Sequence, residues 1–509
     1  MRNFLLLILL SINVSAYGQA VFNPTTGVVN IPKLHIVGDG LNVVYSVELQ
    51  KLTDFTFEVT EFTTIVTEQQ YLTSDTIFYP NTKIMRIPTL QIVGDENIYA
   101  VEMQNISSLV FEVSKIMSIV KNNINVQLGP RPYYLVNSLP EGELKTTLKA
   151  CSEGPFTPTK FTLGHRGAAL QFPEHTKESY IAAHRMGAGL IECDAIFTKD
   201  KQLVCRHSQC DLHTTTNILQ TPLAEKCTQT FTPYDPITGT EASAKCCTSD
   251  INLSEFKTLY GKMDAFNPKA TTVEEYVNAN VDWRTSLYVN KSTVMTHKES
   301  IELFKEFGVK MVPELKETAV KMPYEGTYTR KDFIQQLVNE YKEAGVAAKD
   351  VFIQSFEPED IYYLLKHEPE FGKQGVLLDD RYYAQETFNS NDPSTWLKKT
   401  EEYVKNGVQY IAPTMPSLVT LDINQKIIPS EFAKALNKLE LKIIAWTIER
   451  SGPLTTGSDD FYYTSIQDAS HNDGIVYELL DVLYKDVSIE GIFSDWPATT
   501  TYYANCMGL

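Results

Sequence analysis

The stretch FTLGHRGAALQFPEHTKESY, residues 161–180, sets a short apolar run directly against His165 and Arg166. Pro173, Glu174 and His175 follow, at the head of an amphipathic segment, KESYIAAHRM. An apolar run of strand length followed by a helical period is one β/α unit. Apolar strand candidates recur at 189–195, 309–315, 351–355, 375–378, 409–412, 441–446 and 490–494. Amphipathic stretches such as KDFIQQLVNEYKEAG and PSEFAKALNKLE separate them. Eight such units over about 350 residues predict an α/β fold, a TIM (β/α)8 barrel spanning 161–509. One long insertion, at about 208–305, interrupts it and holds four of the eight cysteines.

The 509-residue chain is too long for one ordinary domain, and its 43% hydrophobic share can fill a large core. A net charge of -18 repels a phosphate backbone or an anionic membrane, and no Lys/Arg-rich stripe reverses this locally. Nucleic acid is therefore not an expected partner. Residues 1–20 read as a signal peptide, with Arg2, a short apolar run from Phe4 to Leu10, and small residues up to Ala20. No later stretch approaches the length of a transmembrane segment, so a secreted or periplasmic protein is expected. The even number of cysteines permits disulfides there, in a pairing the sequence leaves open. Their spacing lacks the doubled CxxC of a structural zinc site.

Residues 21–120 contain a duplication. VFNPTTGVVNIPKLHIVGD aligns with IFYPNTKIMRIPTLQIVGD, at Phe22/Phe78, Pro24/Pro80, Ile31/Ile87 and IVGD at 36–39 and 92–95. The match resumes at Tyr45/Tyr99, Val47/Val101 and FEV at 57–59 and 111–113. Period-two alternation makes each copy a small hairpin-based unit, and such a unit needs a partner to bury its apolar face. A small all-β duplicated hairpin domain is thus predicted before the barrel, with a proline-bearing connector at 121–160 between them. A structural or surface-attachment role is what such a module suggests.

In a barrel of this type the C-terminal strand ends gather the functional side chains. His165 and Arg166, Glu192 and Asp194, His207, Glu314 and Lys316, Gln354, Trp446 and Asp495 all fall there. Glu192 and Asp194 are two apart, hence on the same face of a strand. With Glu314 they make three hard oxygen donors, the set preferred by Ca²⁺ or Mg²⁺, unless Arg166 and Lys316 neutralise them in a buried salt-bridge network. His165 and His207 follow different strands and suit one proton donor and one acceptor.

GHRG, PEHT, the Glu-x-Asp of ECD, RHSQCDLHTTT and the Pro-Glu-x-Lys of PELK together resemble the glycerophosphodiester phosphodiesterase family, particularly its secreted or periplasmic branch. The resemblance covers roughly 161–509. It implies a TIM barrel that hydrolyses glycerophosphodiesters to glycerol 3-phosphate and an alcohol with a divalent cation. It further implies His165 and His207 as the acid/base pair, Glu192, Asp194 and Glu314 as metal ligands, and Arg166, Glu174 and Lys316 as substrate-binding residues. Ser208 and His213 stand where the family often has an acidic residue and an arginine, which leaves the orientation of the site open. His175 is read as local support.

Two other readings compete. A lysophospholipase D on the same barrel would need an apolar groove, which Tyr276, Trp283, Leu287 and Tyr288 of the insertion could supply. A surface binding or adhesion protein with a vestigial barrel would rely on the repeats, but its site should have lost some of these polar residues.

Overall fold

The computed structural model describes residues 20–36, 43–66, 76–93, 98–119, 126–289, 291–456 and 461–509. Two compact units divide the chain, one up to Asn123 and one from Ile124 onward. The expected signal peptide, up to residue 19, and the Gly-Asp turns at 38–39 and 94–95 lie outside the described residues.

In the first unit each repeat contributes four strands, Ala20–Asn23, Val28–Ile36, Val43–Lys51 and Thr56–Val66, then Thr76–Tyr79, Ile84–Ile92, Ile98–Ser107 and Val110–Ile119. Within a repeat they pair antiparallel in sequence order. Between repeats the fourth strands pair, with Phe57 opposite Phe111. The first strand of each repeat runs parallel to the second of the other, so Phe22 meets Ile92 and Phe78 meets Ile36. Those are equivalent positions of the duplication, so the sheet closes with an approximate two-fold relation. Its core draws the same positions from both copies, Ile31 and Ile87, Leu34 and Leu90, Val47 and Val101. The apolar faces that single repeats could not cover are covered by each other.

The second unit is built on eight strands, Thr159–Gly164, Ala188–Phe197, Lys310–Leu315, Gln354–Ser355, Val376–Asp379, Tyr410–Pro413, Lys442–Ile448 and Gly491–Ser494. Each pairs in parallel with the next, and the last pairs with the first, Ile492 opposite Thr162, which closes the barrel. Side chains alternate along a strand, so one parity fills the interior. Leu163, Leu190, Val312, Phe352, Ile444 and Phe493 form its apolar floor. Two residues onward, on the same side, stand His165, Glu192, Glu314, Gln354, Trp446 and Asp495. The alternation that packs the barrel therefore also aims its polar groups into one mouth.

The stretch expected to be a connector is different in kind. Residues Arg131–Ser138 and Glu143–Ala150 are helices whose Leu135, Val136 and Leu148 belong to the barrel's own core. Tyr502 donates its hydroxyl to Leu148 O at 2.6 Å, and Cys151 is bridged to Cys506. Two of the prolines that suggested a linker, Pro130 and Pro132, sit at the start of the first of these helices, where a missing N–H costs nothing. The insertion ends inside the expected bound of about 305, because helix His297–Phe307 already packs on the third strand. Cys210–Cys247 and Cys227–Cys246 tie the insertion together, while Cys193–Cys205 ties the second barrel strand to its antiparallel neighbour Leu203–Cys205. Lys262 anchors it further by donating to the carbonyls of Thr214, Met263 and Ala265.

A fragment starting at residue 126 should therefore melt like the barrel of the full chain. One starting at 152 loses several buried leucine and valine contacts and a disulfide, and should melt about 10 °C lower or fail to fold. Calorimetry of the two fragments checks this, and equal melting temperatures would restore the linker reading.

Candidate active site

The second barrel strand places Glu192 and Asp194 on its inner face, and Asp194 lies in register with Glu314 on the third. Carboxylate oxygens of all three lie within 4.8 Å of one another, and all three residues are buried. Burial, then the charges of Asp194 and Glu314, pushes the Glu192 carboxyl well above the usual range. Burial also moves Glu314 up, to about 7, against the pull of Lys316. Asp194 goes the other way. Against the cost of burial, His175 and Lys316 hold it well below the ordinary carboxylate value.

Each carboxylate is gripped from outside. The Arg166 backbone N–H donates to Glu192 Oε2 at 2.8 Å and Gln354 Nε2 to Glu192 Oε1 at 2.6 Å. His175 Nε2 lies 2.8 Å from Asp194 Oδ2, while its Nδ1 lies 3.0 Å from the Tyr180 hydroxyl. Lys316 Nζ is 2.7 Å from Glu314 Oε1. One oxygen, Asp194 Oδ1, is buried with no partner. A set of hard oxygen donors, too close to ionise together and with one oxygen unsatisfied, fits a divalent cation.

His165 is oriented by Asp495, whose Oδ1 lies 2.5 Å from Nδ1, leaving Nε2 toward Glu192 at 3.9 Å. Burial lowers the His165 imidazole to about 4 even though Asp495 opposes it. His207 falls well below its ordinary value through burial and the nearby Arg166 and Lys316. Asp495 itself is buried, yet Arg450 and His165 bring it down to about 2. Arg450 donates to Asp495 Oδ2 at 2.8 Å, and Arg284, from the insertion, approaches the same oxygen at 3.7 Å.

Arg166 adopts a left-handed backbone, φ 56°, which turns the chain sharply after the first strand. Gly167 follows at φ 97°, where an added Cβ would lie 2.3 Å from Ser179 Oγ, so the loop presses onto its own helix. That helix, Lys177–Arg185, starts at once because Thr176 caps it through Ser179 N. Glu174 accepts from Arg166 Nη1 at 2.8 Å, and Arg206, buried behind it, donates to the Glu174 carbonyl.

His165, Arg166, Glu192, His207, Glu314 and Gln354 line a single cleft of about 370 Å³, walled by Phe356, Leu378, Trp446, Tyr462 and Phe493. Glu174 and Lys316 stand beside this lining and hold Arg166 and Glu314. Ser208 donates its backbone N–H to Asp211 Oδ2 at 3.0 Å, so an acidic group three residues on lies against Ser208. His213 turns away, stacking with Tyr276 inside the insertion. Sequence reasoning gave Arg450 and Arg284 no role. Arg450 was detectable as a charge just past an apolar strand, whereas Arg284 carries no local signal.

Residues 165–499 match the model of the Glycerophosphoryl diester phosphodiesterase family. An extracellular protein of Arthroderma benhamiae is 39% identical over 250 residues, 48% of this chain and 100% of that protein. Glycerophosphodiester phosphodiesterase GDPD6 of Arabidopsis thaliana is 25% identical over 325 residues, 61% of this chain and 80% of that one. A Silicibacter pomeroyi structure assigned as a glycerophosphoryl diester phosphodiesterase aligns with 70% of this chain and 96% of its own, at 15% identity and a TM-score of 0.45. With the family model covering most of a barrel whose mouth holds this cleft, the chain belongs to the glycerophosphoryl diester phosphodiesterase family and is a glycerophosphodiester-hydrolysing enzyme.

Proposed function

We propose that the enzyme cleaves glycerophosphodiesters to glycerol 3-phosphate and an alcohol, with His165 and His207 as the acid/base pair. The observation that carries this reading is the convergence of side chains from separate strand ends, two histidines and two of three clustered carboxylates among them, on one cleft. Glu192, Asp194 and Glu314 would hold Ca²⁺ or Mg²⁺, and the chemistry such an ion supplies when bound is Lewis-acid polarisation of a phosphoryl oxygen.

Asp495 accepts a hydrogen bond from His165 Nδ1–H, so the neutral ring presents Nε2 as an acceptor. When Nε2 gains a proton, the same carboxylate stabilises the imidazolium, the division of labour that lets a buried histidine act as base. His207 serves as the acid: an anionic phosphodiester entering beside it favours the protonated ring that burial alone disfavours. Arg166 binds a phosphate oxygen. Its guanidinium is already charged and oriented by Glu174, and its Nε has no partner within the protein. Glu174 and Lys316 support binding through Arg166 and Glu314. Together Arg166 and Lys316 offset the negative charge that a diester adds.

Secretion is the location this reading favours. Four disulfides engage all eight cysteines, and the Arthroderma relative is named as extracellular. Among the described residues no helix is long and apolar enough to cross a membrane. The repeats take no part in the chemistry in this proposal, and surface attachment is the role it leaves them. A lysophospholipase D reading draws on a separate open groove of about 970 Å³ lined by Phe172, Ile181, Leu287, Tyr288 and Trp496. Tyr276 is buried and contributes nothing there, and Trp283 lines a different cavity beside Arg131. Phosphate-ester assays on glycerophosphocholine and lysophosphatidylcholine side by side separate the two readings.

Excess chelator should abolish hydrolysis, with recovery on adding Ca²⁺ or Mg²⁺. Undiminished activity under chelation removes the cation from the mechanism. Alanine at His165 or His207 should lower turnover by about 10² to 10⁴ while leaving the melting temperature nearly unchanged. Asp495→Asn, which cannot hold the Nδ1–H tautomer as an anion does, should cost about 10² or more in turnover with little change in KM. His175→Ala should act differently, weakening cation binding, so its loss of rate is recovered at higher cation concentration. Rate measurements across a cation titration tell these classes apart, and a His175 variant beyond such rescue would place that ring in the chemistry itself.

A further inference from the structure

Gln354 is a neutral residue among charges, and its two amide atoms have unequal fates. The side chain is fully buried on the strand Gln354–Ser355, in register with Glu314 on one side and Val376 on the other. Nε2 donates to Glu192 Oε1 at 2.6 Å. That bond fixes the orientation of the amide, because the flipped form would press Oε1 against a carboxylate oxygen. Oε1 is then left buried and without any partner, in a residue that lines the cleft with His165, Arg166 and His207. A buried acceptor left unmade is costly, and natural structures rarely tolerate one without a purpose.

A group that enters the cleft can supply the missing donor. Phosphate oxygens of a diester accept and cannot donate. Every glycerophosphodiester, whatever its alcohol, offers the hydroxyls of its glycerol as donors. We propose that Gln354 Oε1 accepts a hydrogen bond from a glycerol hydroxyl, which makes Gln354 the residue that distinguishes glycerol phosphodiesters from diesters of simple alcohols. The inference rests on the phosphodiesterase reading of this cleft and adds a hydroxyl-reading subsite to it. Gln354 thus couples two tasks: its N–H steadies a carboxylate of the acidic trio, and its C=O reads the substrate.

Isothermal titration of the full chain loaded with Mg²⁺ or Ca²⁺ tests this with sn-glycerol 3-phosphate and with propyl phosphate, which keeps the carbon chain and lacks both hydroxyls. The wild-type protein should bind glycerol 3-phosphate about tenfold more tightly than propyl phosphate. Gln354→Met and Gln354→Leu should erase that preference, bringing the two affinities within about twofold of each other, on top of any common loss that follows from removing the N–H to Glu192. Equal affinities in the wild-type protein overturn the proposal without recourse to any variant. A parallel weakening of both ligands that keeps the preference also overturns it, and if cation titration of the same variants shows weakened metal binding, Gln354 serves the acidic trio alone. A wild-type protein that binds neither phosphate ester, and hydrolyses no glycerophosphodiester, rejects the underlying phosphodiesterase reading as well, a result distinguishable from loss of the hydroxyl preference.

Discussion

Three carboxylates buried within 4.8 Å of one another are the constraint around which the barrel mouth is arranged. Left alone they would resist ionisation, since burial and mutual repulsion both favour the neutral form. The groups nearest them can be read as replies to that pressure. Lys316 faces Glu314, His175 faces Asp194, and the Arg166 N–H and Gln354 amide face Glu192. The replies come from the loop after the first strand, the end of the third and the fourth strand, so the cluster also ties those segments together. Such a network is not a cheap way to stabilise a fold, because breaking any member leaves a charge uncompensated. Its cost is easier to understand as the requirement of a site that receives a cation.

A second ionic line reaches the cleft from far away. Arg131, in the helical pair ahead of the barrel, pairs with buried Glu449, which also accepts from Thr499 on the last helix. The next residue, Arg450, pairs with Asp495, and Asp495 orients His165. Glu449 has a left-handed backbone, φ 64°, so the chain turns between the two neighbours and sends their side chains to different partners. The position of a proposed catalytic ring thus depends on helices outside the eight β/α units. Arg284 brings the insertion to the same carboxylate, so the insertion meets the site as well.

Much of this architecture was visible in the sequence, and the failures follow from distance along the chain. The eight barrel strands were readable because alternation and apolar run length are local properties, and Glu192 with Asp194 share a face by spacing alone. Gln354, Trp446 and Asp495 stood out as polar or amphipathic residues at strand ends, but their partners did not. His165 and Asp495 are 330 residues apart, and Arg131 and Glu449 are 318 apart. No pattern within a window of twenty residues encodes such pairs. The helices at 131–150 were lost for another reason: prolines at helix starts and in a linker look alike until the buried face of Leu135 and Leu148 is seen.

The repeats show how duplication answers a different physical problem. A four-stranded unit leaves edges whose N–H and C=O groups invite pairing with other chains. Here the edges of one copy are taken up by the other, through Phe57 against Phe111 and the parallel pairs Phe22–Ile92 and Phe78–Ile36. Phe22 packs edge-on against Phe57 at 5.9 Å, and Phe78 against Phe111 at 5.6 Å, the same contact made twice. A sheet that closes upon itself and fills its own core needs no surface of the barrel to complete it. That self-sufficiency explains how an all-β module can precede a (β/α)8 enzyme without supplying any residue of the acidic trio or of the histidine pair.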